Sequence, residues 1–220
     1  TQVLIRKLVQ SKFPENYRQN RWLADGLFHY LFMRYVETYF HELRLIGNLA
    51  ELPLLSTYQF AQAPFAAKTN LQAAFVYRRN LAQPLLTPSQ DLTKYNRKIA
   101  LRSRSAMGIK ILEKTESKEQ IDAFIFNLFT SKNNLYPLTI QDHFELFFKD
   151  RAKWFYKAYC TDNGLTDYEI RQIGKSDNQV QVELTNHTKA QNPIRVNSYS
   201  KQQLVSSFHR SSGTRAGTEA

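Results

Sequence analysis

Apolar residues along this chain first recur at helical spacing. Leu23, Leu27, Tyr30, Leu31, Tyr35 and Phe40 fit a 3.6-residue period and predict a long helix over 22–45, closed by Gly47 and Pro53. Val3, Leu4, Ile5, Leu8 and Val9 predict a shorter helix over 1–10. Between the two, 11–21 holds Pro14, Asn16 and Asn20, which is connector chemistry. The stretch 50–95 is punctuated by Pro53, Pro64, Pro84 and Pro88 and leaves room for one or two short helices. Further helices are predicted at 97–114, 118–130, 139–148 and 150–160, with Thr139 as cap and Asp142 in a first turn.

After Asn163 and Gly164 the period changes from helical to alternating. The segments 168–173, 180–184 and 194–199 alternate apolar and polar residues, with turn residues between them. Three or four short antiparallel strands are expected there, too few for a complete sandwich. The predicted architecture is therefore mainly α over 1–163, followed by a small antiparallel β module over 164–210 and a disordered tail over 211–220.

Composition supports a buried core, since 42% of the 220 residues are apolar, with 15 Phe and 12 Tyr. No apolar run reaches the roughly 20 residues needed to span a bilayer. The single Cys160 excludes an internal disulfide and a cysteine-rich metal site. The chain begins at Thr1 inside a helix-like stretch, which reads as a piece of a longer parent, so its compartment is not given by its first residues.

Net charge of +11 raises a nucleic-acid reading. Between Arg78 and Lys118 there are ten Lys/Arg against three Asp/Glu, and Arg97, Lys98, Arg102 and Arg104 cluster as a candidate basic surface. Such a stripe suits phosphates or an anionic membrane. Zinc-finger spacing, an aromatic RNA-binding signature and a Gly-rich phosphate loop are all missing, which favours a solvated basic face over a nucleic-acid site.

The segment Trp22-Leu23-Ala24-Asp25-Gly26-Leu27, followed by Tyr30 and Arg34-Tyr35, resembles the W-L-(N/D)-E-G-(F/L)-x-x-Y segment of the M1 zinc aminopeptidases. In that family the Glu is the third zinc ligand. It follows an H-E-x-x-H helix whose two His share one face, and the chain turns back to present the carboxylate to the same metal. With the family's 18 intervening residues, the H-E-x-x-H positions fall without a gap on Gln2-Val3-Leu4-Ile5-Arg6. Asn16 and Arg18 also match some bacterial members.

Later segments are similar in order. Lys94-Tyr95-Asn96 with Ile99-Ala100-Leu101-Arg102 is similar to the stretch carrying the Tyr that stabilises the family's tetrahedral intermediate, and Ala100 stands in that place. Pro137 to Phe144, Lys149-Asp150 and Trp154-Phe155 resemble the ending of the family's catalytic domain, and Asp167-Tyr168-Glu169-Ile170 the β segment after it. The resemblance implies one helical half of a zincin-like catalytic domain.

It also implies a lost site. Gln2 and Arg6 stand at the His ligand positions, Asp25 at the third, and Val3 at the general base. A guanidinium has no acceptor atom and does not ligate. Its charge about 4 Å from a dication costs about 8 kcal/mol at an effective dielectric near 20, against about 10–16 kcal/mol for a complete structural zinc site. Val3 cannot activate water and Ala100 cannot donate to an oxyanion. The expectation is a pseudoenzyme without cofactor, where active relatives hold zinc. Its residual groove would take a peptide or protein, and Arg6 and Asp25 would pair in the emptied pocket. The alternatives are a fragment of a working M1 metallopeptidase and a basic module for nucleic acid or an anionic surface. By family resemblance the parent would be extracytoplasmic or membrane-associated.

The remaining candidates read as ordinary structure. His41-Glu42-Leu43-Arg44-Leu45 lacks the second ligand of H-E-x-x-H, and His29, His143, His187 and His209 have no ligand spacing. Phe124, Phe126, Phe129, Phe144, Phe147 and Phe148 are predicted to pack a core. Asn186-His187-Thr188 fits a glycosylation sequon, a tripeptide common by chance.

Overall fold

The helical part is organised around one helix that is apolar on nearly every side. The computed structural model describes residues 2–11, 21–130, 146–149, 153–163, 167–176, 179–188, 194–200 and 203–210. Helix α1 is Gln2–Ser11, and α2 is Arg21–Tyr39. A 3-10 turn, Gly47–Glu51, leads to α3 (Pro53–Ser56) and then α4 (Ala67–Arg78). A π-helical turn, Asn96–Ala100, runs straight into α5 (Leu101–Glu116). Helix α6 is Lys118–Thr130, and α7 (Lys153–Phe155) continues as a π-helical turn, Tyr156–Thr161. Four strands follow: β1 Tyr168–Ser176, β2 Gln179–Asn186, β3 Ile194–Ser200 and β4 Gln203–Arg210.

The chain is thus mainly α with a small antiparallel β part. The strands form two two-stranded ladders, β1 with β2 and β3 with β4. Each has one register irregularity, at Ile170/Gln172 and at Ser198/Tyr199. No helix among the described residues is long and apolar enough to cross a membrane. The expected helix over 139–148 falls mostly outside the described residues, as do the tail over 211–220 and Asn16, Arg18, Phe144 and Asp150.

Trp22, Leu23, Ala24, Leu27, Phe28, Tyr30 and Met33 of α2 are all buried, which leaves the first half of that helix little polar face. Such a helix belongs in the middle of its neighbours. Gly26 is what lets α5 come close. A Cβ built on Gly26 would sit 2.5 Å from the Cβ of Ser105, so the bare backbone of α2 packs directly against Ser105. Gly108, one turn further along α5, faces the Phe155 ring in the same way, with a Cβ position 2.7 Å from Cε2. Tyr30 donates to Glu113 at 2.6 Å, and Arg34 makes a two-pronged pair with Asp122, tying α2 to α5 and α6.

Helix α2 ends at Tyr39, six residues before the boundary expected from periodicity. The backbone is diverted there into extended pairing. Leu45 donates to the Ala63 carbonyl at 2.8 Å, and Phe65 donates to that of Leu43 at 2.9 Å. Phe40 is left half exposed rather than packed. At the other break, Ser117 adopts φ 121° between α5 and α6. Its Oγ accepts the Gln120 N–H at 3.3 Å, capping α6 one residue after α5 stops.

The aromatic core is partly as expected. Phe124, Phe147 and Phe148 meet with ring centroids 5.0–5.3 Å apart, and Phe129 packs against the core edge. Phe126 departs from the expectation and faces outward, 68% exposed. Its neighbours Phe124 and Ile125 take the buried side of α6. Trp154, Phe155 and Tyr159 complete the packing beneath α5, with Phe155 stacked on Tyr159 at 5.3 Å.

Candidate functional site

The site positions implied by the sequence fall on α1, α2 and the π-helical turn before α5. Asp25 projects from α2, half-buried, and its Oδ2 accepts the Nε–H of Arg21 at 3.0 Å, one helical turn earlier. The same guanidinium donates through Nη2 to the Arg97 carbonyl at 3.2 Å. Arg21 therefore joins the third-ligand position to the turn that ends at Ala100, whose side chain is fully buried. The Arg97 side chain folds back to the Leu92 carbonyl at 3.0 Å.

Arg6 lies elsewhere. Its guanidinium carbon sits 4.8 Å from the centre of the Phe28 ring, a cation–π contact on an exposed part of α1. Asp25 is paired with Arg21, and Arg6 rests on the Phe28 ring. The reason is local geometry: Arg21 and Asp25 share a helical face at i,i+4, and Phe28 offers Arg6 a nearer surface. Gln2 and Val3, on the first turn of α1, are exposed.

His29 enters this site although its spacing in the sequence gave no reason to single it out. It lies one turn after Asp25 and meets Thr69 of α4, with Nε2 and Oγ1 2.8 Å apart. Burial lowers its pKa to about 4, Arg102 and Lys68 push the same way, and Asp25 opposes them. The imidazole is neutral at pH 7. Arg102 is half-buried beside it, and its Nε is buried without a hydrogen-bond partner among the described residues. The only sequence signal for this grouping is the i,i+4 spacing of Asp25 and His29.

A group whose folded pKa lies below its unfolded value of about 6.5 makes the chain acid-labile if it is a histidine. Between pH 6.5 and 4 the unfolded state takes up the proton and the folded state does not, so stability falls with pH. With discount for the partly exposed ring, the loss is about 2 kcal/mol. Denaturant melts at pH 7 and pH 4.5 should show it, and His29→Gln should flatten that part of the profile.

The expected basic surface is reassigned in part. Arg97 and Lys98 are exposed, Arg102 faces His29, and Arg104 is 1% exposed and interior. Arg104 donates to the Tyr77 hydroxyl at 3.2 Å, the Asn163 carbonyl at 2.8 Å and the Gln83 carbonyl, and its guanidinium covers the Tyr77 ring. No carboxylate among the described residues pairs with it. Cys160 lies in the same interior, and burial pushes its thiol well above the usual range, so it stays protonated.

The donor set does not fit zinc. Asp25 is engaged by a permanent cation, Gln2 and Arg6 bring an amide and a second cation, and the His29 imidazole meets Thr69. Comparison with protein-family models, with characterised proteins and with solved structures gave no match.

Proposed function

We propose that this chain is a non-catalytic, M1-aminopeptidase-like domain whose groove serves binding or assembly rather than hydrolysis. Arg21 is the observation that carries the reading. The carboxylate at the family's third-ligand position is engaged by a guanidinium at 3.0 Å, which supports a site that no longer serves a dication. Val3 at the general-base position and Ala100 at the oxyanion-donor position add two independent losses. The ligand class that suits a peptidase groove without its metal is a peptide or a protein segment.

Hydrolysis of aminoacyl arylamides in the presence of added zinc tests the alternative that the chain is a fragment of a working peptidase. No turnover above the buffer rate is expected. Zinc-dependent turnover abolished by Asp25→Ala would sink the proposal.

A further inference from the structure

The cations that remain at the surface surround a small apolar outcrop on α4. Leu71, Phe75 and Leu81 are 57%, 45% and 46% exposed. Leu71 and Phe75 share one face at i,i+4, and Leu81 follows the end of the helix. The Phe75 ring meets Tyr95 with centroids 5.7 Å apart, which brings the turn carrying Lys94 and Lys98 against the middle of α4. Arg79 also lies over the Phe75 ring, its guanidinium carbon 5.7 Å from the ring centre. Lys68 and Arg78 are exposed on the same helix. From Ala67 to Leu112 the exposed cations are Lys68, Arg78, Arg79, Lys94, Arg97 and Lys98, and the one acid in that stretch is Asp91.

The geometry points to an anionic lipid surface as the partner of this face, and we propose that α4 and the turn at 94–98 form a peripheral membrane-docking patch. Charge complementarity sets the sign of the partner: cations fringe the outcrop and only one carboxylate lies in that stretch of sequence. The apolar part decides between polyanions. Exposed leucines on both sides of Phe75 have no hydrogen-bonding or stacking use on a nucleic acid. They gain by entering the headgroup and acyl boundary of a bilayer while flanking Lys and Arg stay with the headgroups. This surface excludes Arg104, which is interior, and centres on Phe75 rather than on the 97–104 cluster.

Flotation of the whole chain with phosphatidylcholine vesicles, with and without phosphatidylserine, tests it. Co-flotation is expected only with phosphatidylserine and should fall as salt is raised. Lys94→Gln with Lys98→Gln should weaken it roughly thirtyfold, and Leu71→Ser with Phe75→Ser should abolish it at constant charge. These positions are exposed, and unchanged circular dichroism verifies folding of each pair. Equal flotation with neutral vesicles, binding that ignores both variant pairs, or tighter binding to a single-stranded oligonucleotide than to the anionic vesicles overturns the proposal.

Discussion

Replacing Arg104 by Met should cost the chain about 3–5 kcal/mol of stability, the largest effect of any single change considered. The guanidinium is buried and holds three acceptors from separate places: the Tyr77 hydroxyl on α4, the Gln83 carbonyl in the loop after it, and the Asn163 carbonyl beyond the last π-helical turn. Met matches much of the length and is apolar, so packing is largely kept while two buried carbonyls and a hydroxyl lose their donor. Each such loss costs about 1–3 kcal/mol. Two backbone bonds also tie the segment it anchors to the last π-helical turn, Leu85 to the Tyr159 carbonyl and Leu86 to that of Cys160, each at 3.1 Å. Arg104→Lys should recover little, because an ammonium cannot span three acceptors in a fork. Urea denaturation of the three proteins reads the effect. A Met variant within 1 kcal/mol of the parent would show that these bonds contribute little.

Gly26→Ala is expected to destabilise by about 3 kcal/mol, although alanine is the better helix former by about 1 kcal/mol. The added methyl would stand 2.5 Å from the Ser105 Cβ and 3.3 Å from the Ser105 carbonyl carbon, against a helix that has no side-chain end to swing away. Relief requires α2 and α5 to separate, which opens the most extensive helix contact among the described residues. Ser105→Gly removes the atom in the way, at the loss of a bond from its Oγ to the Leu101 carbonyl. The double variant should therefore be more stable than Gly26→Ala alone. Thermal melts of both singles and the double form a cycle, and strict additivity would mean that the clash is not the cause.

The helices were legible because burial on one side leaves a period in the sequence, and α6 was placed at 118–130 from that period alone. The end of α2 was not, because what stops it is backbone pairing with 63–65, which no local residue announces. Arg104 reads as surface in the sequence because arginine usually is, and because it sits close to three other cations. The π-helical turn at Asn96–Ala100 adds to this, since it winds more residues into a turn and breaks the α-helical count linking Arg97 to Arg104. Gly26 stood in the motif as one more matching letter, and its reason is the approach of α5. At Asp25 the sequence singles out the carboxylate but not its Arg21 partner, which shares a face of α2 at i,i+4.

Metal content tells whether an ion pair stands where the family holds its zinc. The purified chain and its Asp25→Ala variant are dialysed against trace zinc and the bound metal is counted by elemental analysis. Far less than one zinc per chain is expected, equal in the two proteins. One zinc per chain that disappears with Asp25→Ala would contradict it and return the chain to the working peptidases.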